Sequence, residues 1–204
     1  REVIRAMVHT VNPQRGQTVY DPCCGTGGFL AVAYEHMARQ LGQSPTSTDI
    51  DTLKHDTFFG REKENLVFPI ALANLVLHGI DQPNLWHGNT LERRATYAGL
   101  FEQAPKQFDV ILTNPPFGGM EEPGVDQNFP AQFQTKETAD LFLAMIVKLL
   151  KDGGKGAVVL PDGSLFGEGV KTRLKEHLLS TCNLHTIVRL PKGVFNPYTG
   201  INTN

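Results

Sequence analysis

The stretch Thr18-Val-Tyr-Asp-Pro-Cys-Cys-Gly-Thr-Gly-Gly28 decides the fold, because it runs from a short strand through a glycine-rich turn into a predicted helix at residues 28–41. Glycines permit tight turning and let a ligand approach the backbone. A helix N-terminus offers free N–H groups and positive potential, which favour an anionic group. The spacing is not G-x-G-x-x-G, and no Gly-Lys-Ser/Thr follows, which disfavours dinucleotide and P-loop sites. Asp21 adds a carboxylate that a plain turn does not need, so the turn is a candidate binding site.

Strands and helices alternate along the rest of the chain. Hydrophobic periodicity predicts further strands at residues 57–60, 85–87, 108–113, 156–160 and 184–190. It predicts the other helices at residues 2–11, 64–78, 138–151 and 169–179. Such alternation predicts a doubly wound α/β fold with a mostly parallel sheet, in which ligands bind beyond the carboxyl ends of the strands.

We expect residues 1–204 to form one domain. The polar residues 42–56 predict an irregular insert. Residues 118–136 are rich in Gly, Pro, Gln and acids without a period, which predicts a mobile loop. The expected apolar face of the helix at 64–78 consists of Leu66, Ile70, Ala73 and Leu77.

Composition and charge exclude several classes of protein. Of the 204 residues, 40% are hydrophobic and 20% are charged, which is enough for a packed core. The formal net charge of -2 disfavours a domain that holds nucleic acid by electrostatics alone, and we expect Arg93-Arg94 and the Lys171–Lys175 cluster to be solvated faces. The apolar runs are too short to span a bilayer, and we expect no membrane association. Because the chain starts at Arg1 and stops at Asn204 within the pattern, we expect a fragment of a longer protein.

Cysteine usage indicates the redox compartment. Three cysteines, two of them adjacent, form no C-x-x-C or Cys/His spacing, so the sequence predicts neither a disulfide framework nor a metal site. A reducing cytoplasm is the expected location. Cys23 and Cys24 are expected to be small packing residues rather than nucleophiles.

An acidic residue follows the second predicted strand, in Gly60-Arg-Glu62. A carboxylate at that strand end can accept hydrogen bonds from both hydroxyls of a ribose. The gap from the glycine turn is longer than the usual distance of about 20 residues, and the insert at 42–56 accounts for it. Together with the glycine turn, Glu62 is a candidate ribose ligand.

The tetrapeptide Asn114-Pro-Pro-Phe117 follows the apolar strand predicted at residues 108–113. Two prolines remove two N–H donors and fix φ, so the segment is stiff while its carbonyls remain acceptors. The side-chain oxygen of Asn114 and the carbonyl of Pro115 can converge on one –NH2 group. Phe117 supplies a flat face for a planar ring. The corner is therefore a candidate site for a planar amine.

The residues carry a family resemblance at this point. Asp21–Leu30 together with Asn114–Phe117 resembles the amino-methyltransferases that use S-adenosylmethionine. The wider pattern resembles the modification (methyltransferase) subunit of type I restriction-modification systems, through the stretches Asn74–Ile80, Gly88–Leu91, Ala139–Phe142 and Leu190–Phe195. The resemblance covers nearly the whole chain. It implies a Rossmann-like methyltransferase domain that methylates N6 of adenine in duplex DNA, with its last strand expected after Asn204.

The resemblance also implies roles for individual residues. Two sets of residues would hold the cofactor S-adenosylmethionine. The first, from the glycine turn and the end of the second strand, is Asp21, Cys24, Gly25, Thr26, Gly27, Gly28 and Glu62. The second, after the third strand, is Asn89, Thr90 and Leu91. Asn89 stands where the family usually has an Asp near the adenine of the cofactor, so that contact would be uncharged. The catalytic corner would consist of Asn114, Pro115, Pro116 and Phe117. An aromatic-Thr-Pro segment that the family places on the cofactor would precede Arg1.

The implied partners are double-stranded DNA with a flipped-out adenine, a specificity subunit, a restriction subunit with motor and nuclease functions, and a second modification subunit. Two alternatives stay open. One is an amino-methyltransferase acting on RNA or on a protein glutamine, because the same corner presents acceptors to any planar –NH2. The other is a non-catalytic module that binds cofactor or a partner, which only Asn89 and the acidic pI favour.

Overall fold

The computed structural model describes residues 1–92 and 104–204. Arg93 and Arg94, predicted to be solvated, lie outside the described residues. The described residues form two compact units, each of which is considered by itself. The first holds residues 1–90, 104–113 and 149–157, and the second holds residues 91–92, 114–148 and 158–204.

Five strands form one sheet in the order β3-β2-β1-β4-β5. Their bounds are Val19–Asp21 for β1, Phe58–Glu62 for β2, Asn84–His87 for β3, Phe108–Thr113 for β4 and Leu150–Val158 for β5. Strand β1 pairs in parallel with β2 and β4, and β2 pairs in parallel with β3. The strand order reverses at β1, which is where doubly wound sheets bind ligands. The predicted fold class is confirmed.

Seven α-helices lie in the described residues. They are α1 at Glu2–Val11, α2 at Gly28–Arg39, α3 at Ser47–His55, α4 at Phe68–Leu77, α5 at Thr138–Leu149, α6 at Asp162–Phe166 and α7 at Val170–Thr181. In the described residues, no helix combines the length and the apolar character that crossing a membrane requires.

Both faces of the sheet in the first unit are buried. Val19 and Val110 are fully buried in a core with residues of α1 and α2. The ring of Tyr20, which follows Val19 in β1, stacks on that of Phe108 with centroids 4.3 Å apart, and Phe59 lies 5.5 Å from Phe108. Successive side chains of a strand point to opposite faces, so Val19 and Tyr20 of β1 lie in different layers.

The predicted irregular insert at residues 42–56 is wrong, because it contains helix α3. Thr46 caps this helix by accepting the N–H of Asp49, and the Asp49 side chain in turn accepts the N–H of Thr46. This reciprocal pattern is a capping box, although Asp replaces the usual Glu at its third position. The Thr-x-x-Asp spacing was readable in the sequence.

Helix α4 begins later than predicted, at Phe68 rather than Glu64, with Pro in its first turn. Proline suits a helix start because its missing N–H has no partner there. The predicted apolar face is wrong, since Leu66 and Leu77 are 84% and 85% exposed. The buried side of α4 consists of Ala71 and Leu75 instead.

In the second unit, residues 184–190 and 118–136 differ from the prediction. Residues 184–190, predicted as a sixth strand, form no strand, and Ile187 and Val188 are more than half exposed. The stretch 118–136 includes two short 3-10 turns, at Asp126–Asn128 and Ala131–Phe133. Its predicted mobility stays a prediction.

The prediction of a solvated face at Lys171–Lys175 is wrong for its two lysines, although Arg173 between them is exposed. The Nζ of Lys171 contacts the carboxylate of Asp140, and the two side chains are only 13% and 2% exposed. The Nζ of Lys175 donates to the carbonyls of Leu165 and Gly167 at 2.8 and 2.9 Å, beside the end of α6. Both lysines therefore join α7 to neighbouring segments of the second unit.

Gly60 lies where β2 meets α2 and β3, and a Cβ there would contact the side chain of Leu85 and lie 2.8 Å from that of Leu30. We expect Gly60→Ala to lower the free energy of unfolding by about 1–3 kcal/mol through overpacking. Urea unfolding would measure this change. Gly200→Ala is the matched control, because a Cβ there meets nothing within 4 Å. Equal stability of the two variants would contradict the tight packing at Gly60.

Candidate active site

Asp21 ends strand β1 and is 1% exposed. The hydroxyl of Thr113, at the end of β4, donates to Asp21 Oδ1 at 2.7 Å. The backbone N–H of Cys23 donates to the same oxygen at 3.2 Å. The glycine turn therefore starts from a buried carboxylate that two donors hold in place.

Burial raises the pKa of Asp21 to about 7, because a carboxylate loses its hydration in the sheet. The hydrogen bonds from Thr113 and from the Cys23 backbone lower the pKa, and the negative charge of Glu62 raises it. Removal from water is the largest of these effects. A cation placed beside Asp21 would favour its ionised form.

Glu62 ends strand β2 and is 8% exposed. Its Oε2 accepts the N–H of Gly25 at 2.9 Å, and its Oε1 accepts the N–H of Glu64 at 2.8 Å. Each carboxylate oxygen keeps a further lone pair for a hydroxyl donor. Glu62 thus fixes the glycine turn and retains the acceptors that a ribose requires.

The glycines of the turn have different roles. Gly25 and Gly27 have φ of 55° and 81°, a left-handed conformation that favours glycine. A Cβ at Gly25 would meet nothing within 4 Å, whereas one at Gly27 would lie 3.3 Å from the side chain of Leu75. A Cβ at Gly28 would lie 3.1 Å from Ile4. Gly25 therefore adjoins open space, while Gly27 and Gly28 allow close packing.

Two of the predicted cofactor residues form hydrogen bonds that stabilise the glycine turn. Cys24 is buried in the core and donates its N–H to the carbonyl of Arg61 at 2.8 Å. Thr26 is exposed, and its carbonyl accepts the side-chain amide of Asn74 at 2.8 Å. Asn74 belongs to the stretch Asn74–Ile80, which carries part of the family resemblance, but its contact with the glycine turn was not predicted.

The segment after β3 divides between the two units. The hydroxyl of Thr90, 5% exposed, donates to the carbonyl of Pro22 in the glycine turn. Asn89 is half-buried in the same unit. Leu91 belongs to the second unit, where it is 2% exposed and its carbonyl accepts the side chain of Asn128 at 3.0 Å. The structure thus brings Thr90, but not Leu91, into the first unit with Asp21.

The sequence missed the role of Cys23. Its thiol lies 3.0 Å from the hydroxyl of Thr113. Burial raises the pKa of this thiol well above its usual value, and the charge of Asp21 raises it further. The thiol stays neutral and is not activated as a nucleophile. Only the neighbouring strand end, which sequence alone cannot place, reveals the contact.

The predicted corner begins directly after β4 and belongs to the second unit. The Oδ1 of Asn114 is buried and has no hydrogen-bond partner in residues 1–92 and 104–204. Pro115 is buried, and Pro116 is exposed. The half-buried ring of Phe117 lies 5.5 Å from that of Phe195, with the two planes tilted by 58°. The corner offers a buried acceptor and a pair of aromatic rings.

A parallel sheet with a glycine turn after β1, a buried acid after β2 and an Asn-Pro-Pro-Phe corner after β4 is typical of an amino-methyltransferase. The family model for N-6 DNA methylases matches residues 1–204, and the chain belongs to this family.

Known relatives agree with this assignment. The chain is 52% identical, over its whole length, to the type I restriction enzyme EcoEI methylase subunit of Escherichia coli and covers 40% of that protein. A crystal structure from Vibrio vulnificus YJ016, named as a modification subunit of a type I restriction enzyme, has 46% identity and a TM-score of 0.87 over 98% of this chain and 42% of that chain. The crystal structure of the EcoKI M protein has 31% identity and a TM-score of 0.86, over 98% of this chain and 41% of that chain. The chain thus spans about two fifths of the length of these three relatives.

Asp21 makes stability depend on pH. Its pKa rises from 3.8 to about 7 on folding, so the folded protein binds this proton more tightly, and the free energy of unfolding falls as pH increases across that interval. We expect Asp21→Asn to remove this loss and to be more stable than the unmodified protein above pH 7, by about 1–4 kcal/mol. Urea unfolding between pH 4 and pH 8, without ligand, would measure the difference.

Asp51→Asn is the control, because Asp51 is an exposed carboxyl on α3. A constant stability difference between Asp21→Asn and the unmodified protein at all these pH values would contradict the raised pKa.

Proposed function

We propose that this chain is the methyl-transferring domain of a type I modification subunit, acting on N6 of adenine in DNA. The buried Oδ1 of Asn114 carries the proposal, because it is an acceptor without a partner in the described residues, at the corner where the amine is expected. A buried acceptor in this state costs about 1–3 kcal/mol. An amine N–H of a substrate would satisfy it.

The first unit offers the groups that S-adenosylmethionine requires. Asp21 would face the positive charge of the cofactor, and Glu62 would accept the ribose hydroxyls. Gly25 adjoins open space, so a ligand can approach the backbone there. Asn89 and Thr90 would contact the adenine of the cofactor. When bound, the cofactor supplies a methyl group that its sulfonium makes electrophilic.

Asn114 and Pro115 would prepare the nucleophile. The lone pair of an adenine amine is conjugated with the ring, which makes the nitrogen a poor nucleophile. If Asn114 Oδ1 and the Pro115 carbonyl each accept one N–H, the nitrogen is drawn toward a tetrahedral shape with a directed lone pair. These hydrogen bonds strengthen as positive charge develops on the nitrogen, which is the requirement for rate acceleration.

Phe117 would supply the stacking surface for the base. An adenine inside a duplex cannot reach the corner, so it has to leave the stack. Stacking on an aromatic ring contributes about 1–3 kcal/mol. Phe195, which was not among the predicted site residues, extends the aromatic surface through its contact with Phe117. Pro116 would keep the corner stiff.

The partners follow from the family. The EcoEI relative is named as the methylase subunit of a type I restriction enzyme. We extend this to the present chain, with double-stranded DNA as substrate and with a specificity subunit, a restriction subunit and a second modification subunit as partners. A net charge of -2 fits a subunit whose partners supply much of the attraction to DNA. The cytoplasm, where the free cysteines would stay reduced, is the proposed location.

We expect Asn114→Ala to lower the rate of methyl transfer about 100-fold or more, because an acceptor that acts in the transition state is lost. Affinity for S-adenosylmethionine should change by less than about twofold, since Asn114 does not contact the cofactor in this assignment. Mass spectrometry of N6-methyladenine in digested DNA would give the rate in the assembled complex. Calorimetry would give the affinity.

Asn65→Ala is the matched control, because Asn65 is exposed. If cofactor affinity fell as much as turnover in Asn114→Ala, the catalytic role would be wrong. If RNA or a glutamine side chain were methylated and DNA were not, the proposed DNA substrate would be wrong. Cofactor binding with no methylation of any of them would identify a non-catalytic module.

A further inference from the structure

The carboxyl ends of β1 and β4 share a hydrogen-bonded chain of three side chains. Thr113 Oγ1 lies 2.7 Å from Asp21 Oδ1 and 3.0 Å from Cys23 Sγ. Thr113 is fully buried, and Asp21 is 1% exposed. The Cys23 backbone N–H completes the set by donating to the same carboxylate oxygen at 3.2 Å.

The direction of this chain depends on the charge of the carboxylate. A threonine hydroxyl has one hydrogen to donate. When Asp21 is ionised, the Thr113 hydrogen goes to the carboxylate, and the hydroxyl oxygen accepts the thiol hydrogen of Cys23. Burial and the charge of Asp21 raise the pKa of that thiol, so it remains a donor. The arrangement is therefore complete when Asp21 carries its negative charge.

We propose that Thr113 is a positioning residue of the cofactor site, whose hydroxyl favours the ionised form of the Asp21 carboxylate and fixes it at the start of the glycine turn. The inference rests on the proposed function, in which Asp21 faces the positive charge of S-adenosylmethionine. Thr113 does not touch the cofactor in this assignment. It acts through Asp21, by stabilising the form that attracts a cation.

The titratable groups that act on Asp21 in the described residues do not provide a substitute. Glu62 raises the pKa of Asp21, and burial raises it more. The neighbouring Tyr20 and Cys24 are themselves held neutral by burial, which raises the pKa of both groups. The bond from Thr113 is the largest of the effects that lower the pKa of Asp21.

Two variants and a matched control separate this role from a general loss of packing. Thr113→Val keeps the shape and removes the hydroxyl, while Thr113→Ser restores it. Thr57→Val is the control, because Thr57 is 2% exposed, donates its hydroxyl to the Thr52 carbonyl and precedes β2 at the other end of the sheet.

Carboxyl ¹³C NMR of the protein without ligand would give the pKa of Asp21 directly. We expect about 7 in the unmodified protein, in Thr113→Ser and in Thr57→Val. In Thr113→Val the pKa should be about one pH unit higher or more, because a hydrogen bond to a charged group is lost. An unchanged pKa in Thr113→Val, or an equal increase in Thr57→Val, would overturn the proposal.

Calorimetric titration with S-adenosylmethionine supplies the functional readout. With the pKa moved from about 7 to about 8, the ionised fraction at pH 7 falls about fivefold, and the affinity of Thr113→Val should fall by the same factor. At pH 8.5 the difference should shrink to about 1.3-fold. A loss of affinity that is the same at every pH would overturn the proposal. If NMR shows the expected increase while the unmodified protein binds no cofactor at any pH, Thr113 still holds Asp21, and the proposed function is what fails.

Discussion

The parallel pairing of β1 with β4 is the constraint on which the rest of the proposed cofactor site depends. The register places Val19 opposite Val110 and Tyr20 opposite Ile111, so both strands end at one edge of the sheet. A slip of one residue would move every side chain to the other face. A shift of β1 would then take Val19 out of the aliphatic core. The observed register leaves Asp21 and Thr113 at the carboxyl ends of neighbouring strands, where the Thr113 hydroxyl reaches the carboxylate.

The Asp21 carboxylate is buried at the end of the sheet, although its charged form would be more stable in water. Burial disfavours its charged form, and the hydrogen bonds that it receives compensate only in part, since its pKa remains raised. A residue that lowers stability in this way is a candidate for function. The second acid, Glu62, lies in a different environment, because both its oxygens accept backbone N–H groups of the surrounding turns. One carboxylate thus builds the turn, and the other is the one that we propose to face a cation.

Local chemistry was readable from the sequence, whereas tertiary context was not. The glycine turn, with Asp21 at its start, occupies the strand-to-helix junction that its residues predict. The alternation of strands and helices gave the fold class. The periodicity of the apolar residues at 184–190 predicts a strand, but in the described structure these residues pair with no strand. Leu66 and Leu77 have helical spacing, but the side of α4 that meets the core is decided by its neighbours. The partner of Lys171 lies on another helix, 31 positions away, and no local pattern reveals it.

The corner combines a rigid backbone with a neutral acceptor, and the neutrality is informative. A carboxylate at position 114 would also present acceptor oxygens. However, burial raises the pKa of Asp21 to about 7, and a carboxylate buried at the corner would face the same cost of losing water. Once protonated, it would present an O–H donor in place of one of its two acceptor oxygens. The amide oxygen of Asn114 accepts at every pH and draws no proton away from a neutral amine. An asparagine therefore suits an amine that must keep both hydrogens until its lone pair has reacted.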